Sequence, residues 1–447
     1  MNIIRKTESV CPRCFLPLEA LIIEEDNKIL FRKKCPVHGV CQIILSEHPW
    51  YYRQSSRFFF SVMNSDLPAD SFHLYVTDKC NLSCRICITE SGHSISMGDL
   101  NKGNVEKIIK GRKRVRFIIF GGEPTCNEDL TGIIKLMKEH GHTVMMCTNG
   151  VKLADPGYLS KLVRAGLDRV DLQFDGFNDK VYNVIRERGL LKIKLKALNN
   201  LKELNVPTGL SMLVIKGLNQ DQIDYLLDYA VKNSFIKNIS FIALAFMGGA
   251  YTWPLDKYIV PDQIVDLLEE RTEGKINRKN LFFYQKVFNA YSSFIKKRRC
   301  FYYQSYSLVR KPGGYTCIDE IFEFKKMDYE LEMYAKHLNR NRFLAFLYLL
   351  KGFVKVSVYA VFKPMGLGLL FEIFKTAFYY ALPGGNYNKN SRLLNIIFTT
   401  ACDPYKMDKT AGKYCHRGIF YKQNGEIRRF DFRFDYNFAF QEAVEEK

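Results

Sequence analysis

The sequence predicts an α/β protein: a parallel sheet, with a small metal-binding ribbon before it and a mixed, mainly helical segment after it. Three observations point there. Short apolar runs alternate with helix-patterned stretches between residues 68 and 255. Knuckle-spaced cysteines fall within residues 1–60. From about residue 256 the alternation stops and basic and aromatic residues take over. A chain of 447 residues is long enough for two or three domains. The expected boundaries are therefore 1–60, 68–255 and 256–447.

In the first segment, Cys11-Pro-Arg-Cys14 and Cys35-Pro-Val-His38-Gly39 read as two knuckles of one ribbon. Cys11, Cys14 and Cys35 offer three thiolates, and His38 or Cys41 could supply the fourth ligand for tetrahedral zinc or rubredoxin-like iron. His38 fits knuckle spacing better, while Cys41 also reads as a core residue of the next strand. In the second segment, 72–76, 115–122, 143–150, 169–176, 206–217 and 238–249 read as strands ending in turn residues. Helix-like stretches lie at 125–140, 156–165, 190–204 and 219–233. Six β/α repeats suggest a parallel sheet, open or curled into a partial barrel, with its site at the carboxyl ends of the strands.

The third segment is basic. Lys286 to Lys311 holds seven Lys/Arg and no acid, and 333–371 also lacks any Asp or Glu. Eleven Phe or Tyr fall within 343–380. Residues 343–362 approach transmembrane length, but Lys351 and Lys355 sit mid-stretch, where charge is costly, so no membrane span is assigned. Such a stretch suits either a membrane interface or a buried helical pair lining the barrel. The whole chain carries 66 basic and 47 acidic residues, a net +19, which favours an anionic partner such as an acidic membrane surface. The run Lys296-Lys297-Arg298-Arg299 belongs to no recognised nucleic-acid module, so nucleic acid ranks last. With 29 Gly and 14 Pro, disorder is excluded as the main state. The polar start at 1–10 reads as no signal peptide, and 13 cysteines then imply a reducing, cytoplasmic setting, with a peripheral place at the inner membrane face left open.

Cys80, Cys84 and Cys87 form C-x3-C-x2-C just after the 72–76 strand. Three thiolates on one loop can hold three irons of a [4Fe–4S] cluster and leave the fourth open to a ligand. A zinc knuckle is the bland reading. The spacing resembles the radical S-adenosylmethionine (SAM) superfamily, as do Gly121-Gly122-Glu123-Pro124-Thr125, Thr148-Asn149-Gly150, 172–176 with Ile185-Arg186, and Val214 to Asn219. The resemblance implies a partial (β/α)6 TIM-like barrel, with SAM cleaved to methionine and a 5′-deoxyadenosyl radical that abstracts hydrogen from carbon. It also implies a flavodoxin or ferredoxin as electron donor. Cys80, Cys84 and Cys87 would be both cluster ligands and catalytic residues. Gly121, Gly122, Glu123, Pro124, Asn149, Asp175, Arg186 and Val214 would contact SAM.

Of the remaining cysteines, Cys147 reads as a strand core residue and Cys126 as a helix start near the cofactor. Cys300, Cys317, Cys402 and Cys415 are enough for one auxiliary iron–sulfur cluster, although their separations are irregular. The ribbon followed by the central motifs resembles the subgroup of tetraether lipid synthases and related radical SAM methylases, and this extends weakly to 412–430. Further cysteines expected after the Cys300 and Cys415 equivalents are missing here. The leading expectation is chemistry on a lipid hydrocarbon chain (carbon–carbon coupling or alkylation), with a lipid or other small apolar substrate. Peptide modification is second, and a non-catalytic iron–sulfur scaffold third.

Overall fold

The structure is a computed structural model describing residues 2–69, 71–88, 98–385, 390–415, 417–423 and 425–431. His416 and Asn424, within the 412–430 stretch singled out above, lie outside the described residues. The ribbon is a four-stranded antiparallel sheet, β1 (Asn2–Val10), β2 (Pro17–Glu25), β3 (Lys28–Cys35) and β4 (Gly39–Ser46), in chain order. Its central hairpin turns on Asp26 and Asn27, both at positive φ, the pair a tight two-residue turn requires. Helix α1 (Pro49–Val62), with proline in its first turn, leads from the ribbon to the main sheet.

The six predicted β/α repeats are present. Their strands are β5 (Ser71–Tyr75), β6 (Arg116–Phe120), β7 (Thr143–Thr148), β8 (Arg169–Gln173), β9 (Thr208–Val214) and β10 (Ile236–Ala243). Between them run α2 (Lys102–Ile109), α3 (Leu130–Glu139), α4 (Pro156–Arg164), α5 (Asp179–Arg186), α6 (Leu191–Glu203) and α7 (Ile223–Lys232). The stretch expected as one helix from 125 to 140 divides, because Pro124 opens a single turn and a fresh helix begins at Leu130. Phe117, Val144, Val170, Leu210 and Ile239 are fully buried, while alternate residues on the same strands form the opposite, partly open face, the concave one of a sheet curled part-way toward a barrel as the sequence suggests.

Beyond residue 255 come α8 (Pro261–Arg271), α9 (Arg278–Phe294), β11 (Tyr303–Lys311), β12 (Gly314–Cys317), α10 (Ile318–Phe322) and α11 (Asp328–His337). Then follow α12 (Arg342–Val361), α13 (Gly366–Ala381), β13 (Leu393–Thr400), α14 (Lys409–Gly412), β14 (Arg417–Gln423) and β15 (Glu426–Asp431). This region is helical but not separate. β13 adds in parallel to β10, β14 adds in parallel to β5, and β11, β12 and β15 extend the edges antiparallel. The result is one open eleven-stranded sheet, ordered β12-β11-β13-β10-β9-β8-β7-β6-β5-β14-β15, that does not close into a barrel. The boundary drawn after 255 therefore cuts through a single core. The period was lost because these strands return through long helical excursions. Nor do α12 and α13 line the barrel: α12 packs on α10, α11 and α13.

Phe398 of β13 stacks on Phe241 of β10 at 6.2 Å, both without solvent exposure. Phe398→Ala should cost about 3–5 kcal/mol and lower the midpoint of one cooperative thermal transition. A separate early transition confined to the C-terminal segment would contradict a shared core.

Candidate active site and metal centres

In the ribbon, Cys11 and Cys14 flank the β1–β2 turn, Cys35 ends β3, and His38 sits in the turn to β4. Their four ligand atoms lie within 4.8 Å of one another. Zn–S bonds of about 2.3 Å and Zn–N bonds of about 2.05 Å at tetrahedral angles require S···S near 3.8 Å and S···N near 3.5 Å. Cys14 Sγ stands 3.8 Å from Cys35 Sγ, and His38 Nδ1 stands 3.6 Å from both Cys11 and Cys35 Sγ. Burial raises the Cys35 thiol, but the N–H groups of His38 and Val37 and the His38 ring outweigh it and bring it to about 6, the thiolate side. Cys41 lies outside this set, on β4 opposite Lys33. The residues present fit a tetrahedral ion held by Cys11, Cys14, Cys35 and His38. His38→Ala should therefore lose most of the bound metal while Cys41→Ser keeps its full complement, as read by elemental analysis after mild chelation.

The ribbon is fixed to the end of β13. Asp408, fully buried, accepts from Arg5 Nη1 at 3.0 Å and Thr7 Oγ1 at 2.8 Å. Buried Lys33 donates to Ser9 Oγ at 3.0 Å and to the Tyr405 carbonyl at 3.2 Å.

At the carboxyl end of β5, the loop bearing Cys80, Cys84 and Cys87 is clasped from two sides. Gly122 N donates to Thr77 O and Glu123 N to Lys79 O, each at 2.8 Å. A Cβ on Gly122 would stand 2.5 Å from Asp78 O, so only glycine permits this approach. From the β10 end, Gly249 N donates to Cys87 O at 2.8 Å, and a Cβ there would meet Arg85 O at 2.7 Å. The Cys80 thiol is pushed up to about 11 by burial, with Glu123, Cys84 and Cys87 adding to it. The three sulfurs thus face a common space, yet they are not drawn within 4.8 Å as the ribbon donors are. A cluster with one thiolate per iron needs that wider spread. The triad fits a polynuclear cluster better than a zinc knuckle.

Glu123 is buried, and its carboxylate accepts from Thr125 N at 3.1 Å, Thr125 Oγ1 at 2.7 Å, Thr148 Oγ1 at 2.6 Å and Asn149 N at 2.7 Å. Pro124 starts the turn that brings Thr125 back to it. Asn149 in turn donates to Asn81 Oδ1 at 2.7 Å, on the cysteine loop. Asp175, after β8, accepts from Arg186 Nε at 3.0 Å and Leu213 N at 3.2 Å. Burial opposes the Arg186 charge, but Asp175 and the Cys84 thiol hold it above the ordinary arginine range. Val214 ends β9 in the core, and Asn219 closes the turn behind it through Ile215 N and Leu213 O.

Lys194 of α6 escaped the sequence reading. Its side chain is fully buried, and Nζ donates to Asn149 O and Gln173 O, each at 2.6 Å, and to Gln173 Oε1. The available signal was its spacing with Ala197, Leu198 and Leu201, which puts a lysine on the apolar stripe of an amphipathic helix. Burial pulls its pKa down to about 7, although Asp175 opposes the fall. The unfolded chain, near 10.5, then binds more protons than the folded one between pH 7 and 10, so this group makes stability rise with pH there. Against Lys194→Met, the wild type should gain relative stability as pH climbs from 7 to 10. Denaturation midpoints measured across that range would check it.

Below the strand ends the concave face mixes polar and apolar side chains: His73, Cys147, Asp171, Gln173, Ser211 and Ser240 are partly open there, alongside Ile118, Phe120, Leu213 and Ile242. Arg169 bridges Asp171 at 2.7 Å and also bonds Asn238, and Gly209 leaves the room: a Cβ there would stand 2.7 Å from both Arg169 Nη2 and Asn238 Oδ1. Arg417 of β14 reaches the same space, where burial and its charge together hold His73 well below the usual histidine range. A cavity of about 490 Å³, lined by Arg112, Lys113 and Arg429, lies instead near the amino end of β5, away from these residues.

Of the four cysteines expected to make an auxiliary centre, three converge. Burial raises Cys300, with Cys415 adding to it, and burial raises Cys402, with Cys300 and Cys415 adding to it. Cys317 is elsewhere. It pairs through Leu308 with Leu394, five residues down β13 from Thr399, which faces Tyr303. That offset is about 17 Å, and Cys317 Sγ bonds Lys275 O at 3.3 Å. Cys126 lies beside the triad loop, with burial and Glu123 raising its thiol.

Residues 74–230 match the model of the radical SAM superfamily, and residues 3–47 match that of the HMPTM N-terminal zinc ribbon domain. The chain is 32% identical over 315 residues to 7,8-dihydro-6-hydroxymethylpterin dimethyltransferase of Methanocaldococcus jannaschii, covering 62% of this chain and 61% of that relative. It is 27% identical over 227 residues to the probable GTP 3′,8-cyclase of Thermococcus kodakarensis, covering 48% and 72%. Among solved structures, Streptococcus suis SuiB bound to S-adenosylmethionine is similar with a TM-score of 0.39 and 15% identity, covering 57% of this chain and 68% of that one. The similarity thus runs to a methyltransferase and a cyclase with radical SAM domains, and neither is a tetraether lipid synthase of the kind that the sequence resemblance suggests. The cofactors that follow are a [4Fe–4S] cluster and SAM, together with the ribbon metal.

Proposed function

Starting from a chain that carries a radical SAM domain behind an N-terminal zinc ribbon, we propose that it methylates a carbon of a flat, heteroatom-rich ring such as a reduced pterin. The observation that carries this reading is the cluster of polar groups on the partly open face of the sheet. Asp171, Gln173, Ser211, Ser240 and His73 stand partly open there, with Asp171 fixed in direction by buried Arg169, and can meet ring nitrogens and carbonyls. A heteroatom-rich ring matches such groups, whereas an alkyl tail offers them no partner. The partial match to a pterin dimethyltransferase, across 61% of its length, supports the same class.

A cluster bound there would supply the electron for splitting one SAM, so that hydrogen is taken from the ring carbon. The methyl group would come from the sulfonium of a second SAM, which leaves as S-adenosylhomocysteine, with a second electron from the same external donor closing the balance. In this reading Cys80, Cys84 and Cys87 hold the cluster. The turns carrying Gly121 to Pro124, Asn149, Asp175 with Arg186, and Val214 surround SAM. Glu123 keeps the β6 and β7 turns in register, since its carboxylate already accepts four bonds from Thr125, Thr148 and Asn149. Arg186 ties the Asp175 turn to Cys84, so a shift at either would misplace both. A single-electron donor of flavodoxin or ferredoxin type would serve it. Cys300, Cys402 and Cys415, with Arg417 between Cys300 and the concave side, would hold the auxiliary centre.

The lipid-chain reading rests on a different observation, the bare apolar face of α12 and α13. It fits less well, because neither helix reaches the concave side. Reconstituted enzyme with SAM, a strong reductant and 7,8-dihydro-6-hydroxymethylpterin should release 5′-deoxyadenosine and give pterins heavier by one or two methyl groups. Cys84→Ala should yield neither product. Turnover indifferent to the pterin but stimulated by lipid extract would overturn the ring reading in favour of the lipid one.

A further inference from the structure

Helix α12 is the one helix, among the described residues, long and apolar enough to cross a membrane. It cannot do so while one face is committed to protein. Ala345, Leu349, Gly352, Val356 and Ala360 are buried, and a Cβ on Gly352 would stand 2.8 Å from Met327 Cε. The opposite face is equally apolar and bare. Phe343, Leu347, Leu350, Val354, Val358 and Val361 recur every three or four residues, so they form one stripe, with Phe343 70% exposed. On α13 a second stripe, Leu367, Phe371, Phe374 and Phe378, repeats the pattern, with Phe371 80% exposed. Because α12 and α13 pack on each other, these stripes gather ten exposed apolar side chains on two adjoining helices rather than scattering them singly.

The charges around these stripes point to what covers them. Exposed Arg340, Arg342, Lys351 and Lys375 accompany the two helices. Between residues 333 and 381 the only carboxylate is Glu372, and it turns to Ser391 Oγ and Arg392 N, each at 2.6 Å. A second copy seated on this face would set cation against cation. An acidic bilayer supplies both an apolar interior for the phenylalanines and anionic headgroups for the cations. We propose that α12 and α13 are a monotopic docking surface, lying in the plane of an anionic lipid bilayer with the stripes immersed. The proposal stands apart from the identity of the substrate.

Flotation of the full-length, cluster-loaded enzyme tests it, with vesicles of phosphatidylcholine alone and of phosphatidylcholine and phosphatidylglycerol in equal parts. The enzyme should float with the mixed vesicles, and less so at high salt. Phe371→Ser/Phe374→Ser should lower binding about tenfold or more without moving the unfolding midpoint, since both side chains are exposed. Lys351→Glu/Lys375→Glu should abolish the preference for phosphatidylglycerol. The proposal is overturned if the wild type stays unbound with mixed vesicles, or if the phenylalanine pair leaves binding unchanged. It is equally overturned if sedimentation without lipid shows a dimer that the phenylalanine pair dissolves.

Discussion

The buried carboxylate of Glu123 is the constraint on which the geometry of the site depends. A carboxylate without water is tolerable only when its lone pairs are filled. Here four donors fill them, from Thr125, Thr148 and Asn149, and each belongs to a turn at the carboxyl end of β6 or β7. Neither turn can shift without stripping a donor from a desolvated charge. Asn149 then passes the constraint to Asn81, and the Glu123 backbone passes it to Lys79, so the cysteine loop inherits a fixed place. Lys194 does the same between the β7 and β8 turns, with an ammonium whose three protons meet three carbonyl oxygens. Opposite charges thus pin three consecutive strand ends from below.

The ribbon bears on the C-terminal cysteines. Its attachment is ionic and buried: Arg5 to Asp408, and Lys33 to the carbonyls that follow β13. These contacts fall just after Cys402 and before Cys415. A metal that orders the ribbon therefore also orders the segment carrying two of the three C-terminal cysteines. Tyr302 donates to the same Asp408 at 3.1 Å, which brings the chain next to Cys300 into that arrangement. The ribbon is a structural part of the C-terminal cysteine site as well as a module of its own.

What was legible in the sequence was whatever local spacing encodes. The six central strands, the helices between them and the knuckle geometry of Cys11, Cys14, Cys35 and His38 all follow from short-range pattern. The choice between His38 and Cys41 was also local: position 41 belongs to a strand whose ladder fixes its direction. Convergence over distance was not legible. Cys317 and Cys402 looked equivalent in sequence, and only the register of β11 against β13 separates them by most of a strand length. The C-terminal strands were hidden for the same reason. β13 and β14 take their places from partners more than 150 residues away, β10 and β5, and no local period announces that. Lys194 was hidden differently, since a lysine reads as solvated until its carbonyl partners are in place.

The two ambiguous features of the composition, its excess of cations and its apolar C-terminal stretch, then separate in space. Inside, cations are individually committed: Arg169 to Asp171 and Asn238, Arg186 to Asp175, Lys194 to carbonyls. They build a polar chamber whose specificity comes from fixed direction rather than from net charge. Outside, on α12 and α13, cations stand exposed beside bare phenylalanine and leucine. A substrate selected by the first surface needs no affinity for the second. Only a path between them would couple the two, and α12 turns its protein-facing side to α10 and α11 rather than to the strands. If both proposals hold, chemistry and membrane docking are carried by different faces of one core, so that each can change without disturbing the other.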